Sequence, residues 1–94
     1  VSELDKLEKW YQRHCDGAWE HQYGIEIGTI DNPGWRVEID GLPIGDAPLQ
    51  IIEEESADSW IRCSLIEGSF KGYGGVGNLE RIIKAFNSWV SDSP

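Results

Sequence analysis

The chain has 94 residues, too few for two cores, because a chain of this size buries only about 60 to 65% of the surface it exposes when unfolded. Its hydrophobic share of 39%, with 11% aromatic, is that of a globular domain and excludes a disordered chain. Acidic residues number 17 against 8 basic, and the resulting net charge of −9 disfavours nucleic acid and anionic lipid while speeding encounter with a basic protein.

In residues 2–15, Leu4, Leu7, Trp10 and Tyr11 recur at the three-and-four spacing of a helix with one buried stripe. Ser2 is placed to cap it and Asp5 to favour its positive end, while Asp16-Gly17 supplies the glycine on which a helix stops, near His14. In residues 19–27, Tyr23, Ile25 and Ile27 alternate with polar residues or glycine, the pattern of a half-buried strand. Trp35, Val37 and Ile39 repeat it. Between the two, Asn32-Pro33-Gly34-Trp35 has the composition of a type II turn, which predicts a hairpin.

Residues 41–48 carry two prolines and two glycines and read as a loop; residues 49–54 then read as a third strand and residues 60–66 as a fourth. Glu67-Gly68 turns the chain into a short fifth strand over residues 69–73, and Gly74-Gly75-Val76-Gly77 leads to the last element. Asn78 is a candidate cap for that helix. Leu79, Ile82, Ile83, Phe86, Trp89 and Val90 form its broad apolar stripe, ahead of Ser91-Asp92-Ser93-Pro94.

Helix, strands, helix, with connections too short for a crossover, predicts an α+β domain over residues 1–94: a four- to five-stranded antiparallel sheet with both helices on one face. Two helices cover one side of such a sheet, so the other meets solvent or a partner. Strand parity assigns it Gln22, Glu26, Arg36, Glu38, Asp40, Ile52, Glu54, Trp60, Arg62, Ser64 and Ile66. No apolar run reaches the roughly 20 residues of a membrane span, and Val1-Ser2-Glu3-Leu4-Asp5 lacks the features of a signal peptide, so a cytoplasmic location is expected.

Several constellations invite chemistry. Gly72-Tyr73-Gly74-Gly75-Val76-Gly77 matches Gly-x-Gly-x-x-Gly, but a dinucleotide site needs a second strand after the helix, and none follows. His14, Cys15, His21 and Cys63 lack the spacing of a metal site, so no metal or cofactor is expected. With Cys-x-x-Cys absent, Cys15 and Cys63 read as reduced, buried thiols. Glu53-Glu54-Glu55 with Asp58 lacks the glycine turn of a calcium loop and reads as a solvated strand end or an acidic rim for a protein. Trp10, Trp35 and Trp89 fall on core stripes. Trp60 is assigned to the outward row beside Arg62, the pairing of residue types that anchors interfaces.

Trp10-Tyr11, Cys15-Asp16-Gly17, Trp19-Glu20-His21, Gly24, the run from Asp31 to Trp35, Trp60 with Cys63, Gly74-Gly75, and Leu79, Ile82 and Phe86 together resemble the bacterial immunity protein 53 family. The resemblance runs nearly end to end and departs in residues 41–48. It implies an antidote of a polymorphic toxin system that binds and neutralises a cognate toxin domain by occlusion, without catalysis. Many such toxins are basic nucleases, whose clefts an acidic antidote fills with carboxylates in place of phosphates. The expected contact residues are Glu26, Glu38, Asp40, Glu54, Asp58, Trp60 and Arg62, with no catalytic residue. Two rival readings are a small enzyme using Cys15 with His21, beside Glu20, and a generic protein-binding module with no toxin partner.

Overall fold

The computed structural model describes residues 2–42 and 49–92, so most of the loop expected over residues 41–48 lies outside the described residues, as does the end of the tail. Eight elements follow in chain order: α1 (Glu3–His14), α2 (Trp19–Gln22), β1 (Ile25–Ile30), β2 (Gly34–Ile39), β3 (Leu49–Glu54), β4 (Trp60–Ile66), β5 (Ser69–Gly74) and α3 (Leu79–Asp92). The fold is α+β, as the pattern predicts.

Helix α1 starts as expected, with the Ser2 hydroxyl accepting from the Asp5 backbone N–H at 3.1 Å. It ends at Cys15, and Gly17 turns the chain at φ +95°. The next strand begins later than alternation suggests, because residues 19–22 form a single helical turn. Local hydrogen bonds decide this. Asp16 Oδ1 accepts from the N–H groups of Ala18 and Trp19, while the Glu20 carboxylate reaches back to the N–H groups of Asp16 and Gly17. These reciprocal side-chain to backbone bonds fix the turn ahead of Ala18, which caps the helix without a side-chain bond of its own, and they outweigh the alternating pattern. Gln22 therefore belongs to α2 and not to the sheet face.

The five strands form one antiparallel sheet in the order β1-β2-β5-β4-β3. The β1–β2 hairpin is present, but its loop is Asp31-Asn32-Pro33, with a cis Asn32–Pro33 bond and Gly34 already paired to Ile30. Gly34 does not have the positive φ that a type II turn requires. Close approach explains the glycine instead, since a Cβ there would overlap the Gly74 carbonyl oxygen. At the β4–β5 hairpin, Glu67 and Gly68 both have positive φ, 52° and 82°.

One side of the sheet presents Val37, Ile39, Ile61, Cys63, Leu65 and Phe70 to the helices. Helix α3 lies across β2, β5 and β4, α1 packs beside α3, and Leu7, Trp10, Ile82, Ile83 and Phe86 complete the core. Phe70 and Phe86 are fully buried 5.3 Å apart, and each contributes roughly 1.5–3 kcal/mol by leaving water. Gly72 and Gly74, the first two glycines of the dinucleotide-like motif, serve this packing. A Cβ at Gly72 would overlap Ile82 Cγ2, and one at Gly74 would lie 2.9 Å from Ile82 Cδ1.

Cys63 is buried, as alternation predicts, and burial pushes its thiol up to about 11, with Glu53 adding to the effect. Cys15 is exposed, contrary to expectation, because it follows the last turn of α1 rather than lying on its apolar stripe. Trp10 is buried, whereas Trp35 and Trp89 are only partly so, each packed against the core edge. Among the described residues no helix is long and apolar enough to cross a membrane.

Candidate cleft on the open face of the sheet

The side of the sheet away from the helices carries no covering element among the described residues. Register places Glu26, Gly28 and Ile30 of β1 on it, then Arg36 and Glu38 of β2, Ser69, Lys71 and Tyr73 of β5, Trp60, Arg62, Ser64 and Ile66 of β4, and Gln50, Ile52 and Glu54 of β3. Ile52 and Ile66 stand 56% and 57% exposed there, a poor use of large apolar side chains unless something covers them.

Pairing decides the charge of this face. Arg36 lies 2.9 Å from Glu38 and 3.6 Å from Glu26, Arg62 donates to Glu54, and Lys71 adds a third cation. The centre is therefore close to neutral, although the chain carries −9. Asp40 sits past the end of β2, where it accepts from the Ser69 hydroxyl at 2.6 Å. Of the seven residues expected to act together, Glu26 and Glu38 share one arginine across β1 and β2 at one edge of the sheet, Asp40 lies at one end of the strands, and Glu54, Asp58, Trp60 and Arg62 gather at the other end.

That second group lines a cleft of ≈ 370 Å³, together with Asn32, Pro33, Ser56, Ala57, Gly75 and Val76. Three connections build it: the β1–β2 loop, the β3–β4 loop and the link from β5 to α3. The β3–β4 loop folds on itself, the Ser59 carbonyl accepting from the N–H groups of Glu55 and Ser56, and Ser56 Oγ accepting from those of Asp58 and Ser59. Arg81 of α3 reaches across to Glu53 at 3.0 Å and Glu55 at 2.7 Å, and these carboxylates raise its already high pKa. The acidic run is thus a braced rim.

Trp60 is held from both sides of its backbone. Its N–H donates to Asn78 Oδ1 at 3.0 Å and its carbonyl accepts from Gly75 N–H at 3.1 Å. The Asn78 side chain, expected as a helix cap, is used as a bridge to the sheet. Gly75 is needed where the link crosses the β3–β4 loop, because a Cβ would overlap the Asp58 carbonyl oxygen. Trp35 fixes the far wall, its Nε1 donating to the Val76 carbonyl at 2.9 Å. On this frame the Arg62 guanidinium carbon lies 5.9 Å from the centre of the Trp60 ring, and Asp58 has no cationic partner among the described residues.

The cysteine constellation is not assembled. The Glu20 carboxylate is occupied by backbone N–H groups, Tyr11 is the side chain that meets Cys15, and no contact among the described residues joins Cys15 to His21. His14 Nδ1 meets the Trp10 carbonyl at 2.9 Å, and its ring stacks on Trp10. Among the described residues, no group of three or more His, Cys, Asp or Glu is placed to hold a metal ion.

A family model described as immunity protein 53 matches residues 4–91, nearly the whole chain. The chain belongs to the immunity protein 53 family. No curated protein and no solved structure matches it. In this family member the residues that carry the resemblance divide by role. Asp16, Gly17, Trp19 and Glu20 build the turn after α1, and Ile82 and Phe86 seat α3. Asn32, Pro33, Trp60 and Gly75, distant in sequence, converge on the cleft. Strand parity and register agree in placing Trp60 and Arg62 on the open face, and Lys71 and Tyr73 join them there through β5, whose Gly-rich run carries little alternation to read. Pro33 and Val76 gave no periodic signal at all, since they sit on loops.

Proposed function

We propose that this protein binds a cognate bacterial toxin domain, of the basic nuclease type, and neutralises it by covering its working surface without catalysis. The observation that carries this reading is the bare side of the sheet, ending in a cleft whose tryptophan is fixed at both backbone groups. A preformed anchor on a face that also exposes Ile52 and Ile66 suits a rigid protein partner, because little side-chain freedom is lost on binding. Asp58 and the Glu53–Glu55 rim would meet the toxin's basic groups, and Glu26, Glu38 and Asp40 would extend the contact along the face. The cytoplasm of the producing cell is the compartment this reading assigns.

Co-expression with the protein encoded directly upstream tests it, using toxin activity and binding kinetics as readouts. A tight, inactive complex is expected. Trp60→Ala should cost about 2 kcal/mol or more, roughly a 30-fold loss of affinity, chiefly through faster dissociation. Asp58→Lys should slow association and flatten its dependence on salt, and Glu38→Lys with Asp40→Lys should do so to a smaller extent. Full toxin activity at a stoichiometric excess of the chain would refute immunity towards that toxin, and unchanged affinity across all these variants would refute the face.

A further inference from the structure

The two edges of the sheet are treated differently. Strand β3 ends in Glu53 and Glu54, followed by Glu55, so a second copy laid against it would meet like charge. Strand β1, Ile25–Ile30, has one charged residue, Glu26, and neither proline nor bulge. Ile27, on the helix side of this edge, is 42% exposed.

The hydrogen-bond phase of β1 follows from one bond. Asp40 N–H donates to the Gly24 carbonyl, so Gly24, Glu26, Gly28 and Ile30 bond inward to β2, and Ile25, Ile27 and Thr29 turn their N–H and C=O groups outward. Three consecutive outward residues form a template for another strand.

We propose that two copies of this chain pair antiparallel through β1, about a two-fold axis at Ile27, joining their sheets into one. In that register Ile27 faces Ile27 of the second copy, and Ile25 faces Thr29, each pair exchanging two backbone bonds. On the open face the row Gly24, Glu26, Gly28, Ile30 meets its own reverse, so that a glycine stands opposite a larger residue at every position. Gly24 has open space where a Cβ would be, room for the opposing Ile30. Over Gly28 lies the Arg36 guanidinium, whose Nη2 is 2.9 Å from the position a Cβ would take. Glu26, with a 73% exposed side chain, would therefore face the Arg36 of the second copy as well as its own. This match of size and charge selects a second copy over an unrelated strand.

One short edge and a net charge of −9 on each chain make the pairing weak, with an expected Kd between about 10 µM and 1 mM. Sedimentation velocity on the full chain, at about 0.15 M salt where charges are screened beyond roughly 8 Å, reads it out. The expected result is a concentration-dependent dimer in which the amides of Ile25, Ile27 and Thr29 gain protection from hydrogen exchange. Ile27→Lys, an exposed position outside the core, should leave the circular dichroism spectrum intact and abolish the dimer at about 1 mM. Gly28→Val, which displaces Arg36, should abolish it too. A monomer at about 1 mM, a dimer with those three amides unprotected, or a dimer that survives Ile27→Lys would each overturn the proposal. Protection of the three amides by toxin alone, with the free chain monomeric, would assign the edge to the toxin and overturn it as well.

Discussion

Replacing Asn78 separates two roles that its position allows. Asn78 is 8% exposed, and its Oδ1 is the acceptor for the Trp60 N–H at 3.0 Å. Asn78→Ala leaves that N–H without a partner at a site where water has little access, at a cost of about 1–3 kcal/mol. For a domain of this length each kcal/mol lowers Tm by roughly 4–8 °C, so a fall of about 5–20 °C is expected. Asn78→Ser distinguishes the bridge from a cap. Serine caps helices as well as asparagine does, but its hydroxyl is one bond shorter and falls short of the strand, so Asn78→Ser should be destabilised almost as much as Asn78→Ala. Asn78→Asp keeps the acceptor and should retain most of the stability. Urea unfolding with a shared m-value gives the differences, and hydrogen exchange should show faster opening at the Trp60 amide in the first two variants. If Asn78→Ser matched the parent within about 0.5 kcal/mol, the side chain would be a cap, and the account of how Trp60 is held would be wrong.

Gly72→Ala places a methyl group against Ile82 Cγ2 and should cost about 1–3 kcal/mol by overpacking, and Gly72→Ala combined with Ile82→Leu, which lacks that β-branch methyl, should recover part of it; independent, additive losses in denaturant melts would show that the two do not touch. In the native protein iodoacetamide should modify Cys15 and spare Cys63 until urea unfolds the chain, a pattern read by mass spectrometry; modification of both at equal rates would contradict the packing. Cys63 has a folded pKa of about 11 against an ordinary thiol value near 9, so its contribution to stability is complete below pH 9 and is lost as pH rises towards 11. Cys63→Ala should lower stability at neutral pH yet show a shallower alkaline decline in urea titrations. Asp16 behaves with opposite sign. The N–H groups of Trp19 and Ala18 hold its carboxyl below the usual range, so its contribution is present above about pH 4 and lost as pH falls through the lowered value; Asp16→Asn should flatten that acid limb.

The parts of this fold legible in the sequence are those where periodicity and burial agree. Strand β4 begins and ends where alternation puts it, and α1 stops at His14, because each has one face pressed on a core and one in water. Residues 19–22 show the limit. Their alternation is genuine, yet bonds from Asp16 and Glu20 to neighbouring N–H groups stabilise a helical turn, and such local competition leaves no periodic trace. Gly34 and Gly72 are glycines for what approaches them across the sheet or from α3, which no turn rule foresees. The site divides likewise. Parity identifies Trp60, Arg62 and Glu54 as one outward group, while pairing by Arg36 and Arg62 leaves the middle of an acidic protein's exposed face nearly neutral, a matter of distances and not of composition.

Helix α3 is made after all five strands, and it supplies Ile82, Ile83 and Phe86 to a sheet that has no other lid over β2, β5 and β4 among the described residues. On the ribosome, the five strands emerge first and remain with an oily side unshielded until those residues clear the exit tunnel. Asn87 then latches onto Glu3 at the opposite end of the chain, its Nδ2 donating to both the backbone carbonyl at 2.9 Å and the carboxylate at 3.0 Å. Maturation is therefore tied to completed translation through residue 87, and a nascent chain stalled short of it should be a substrate for chaperones or proteases rather than a working domain.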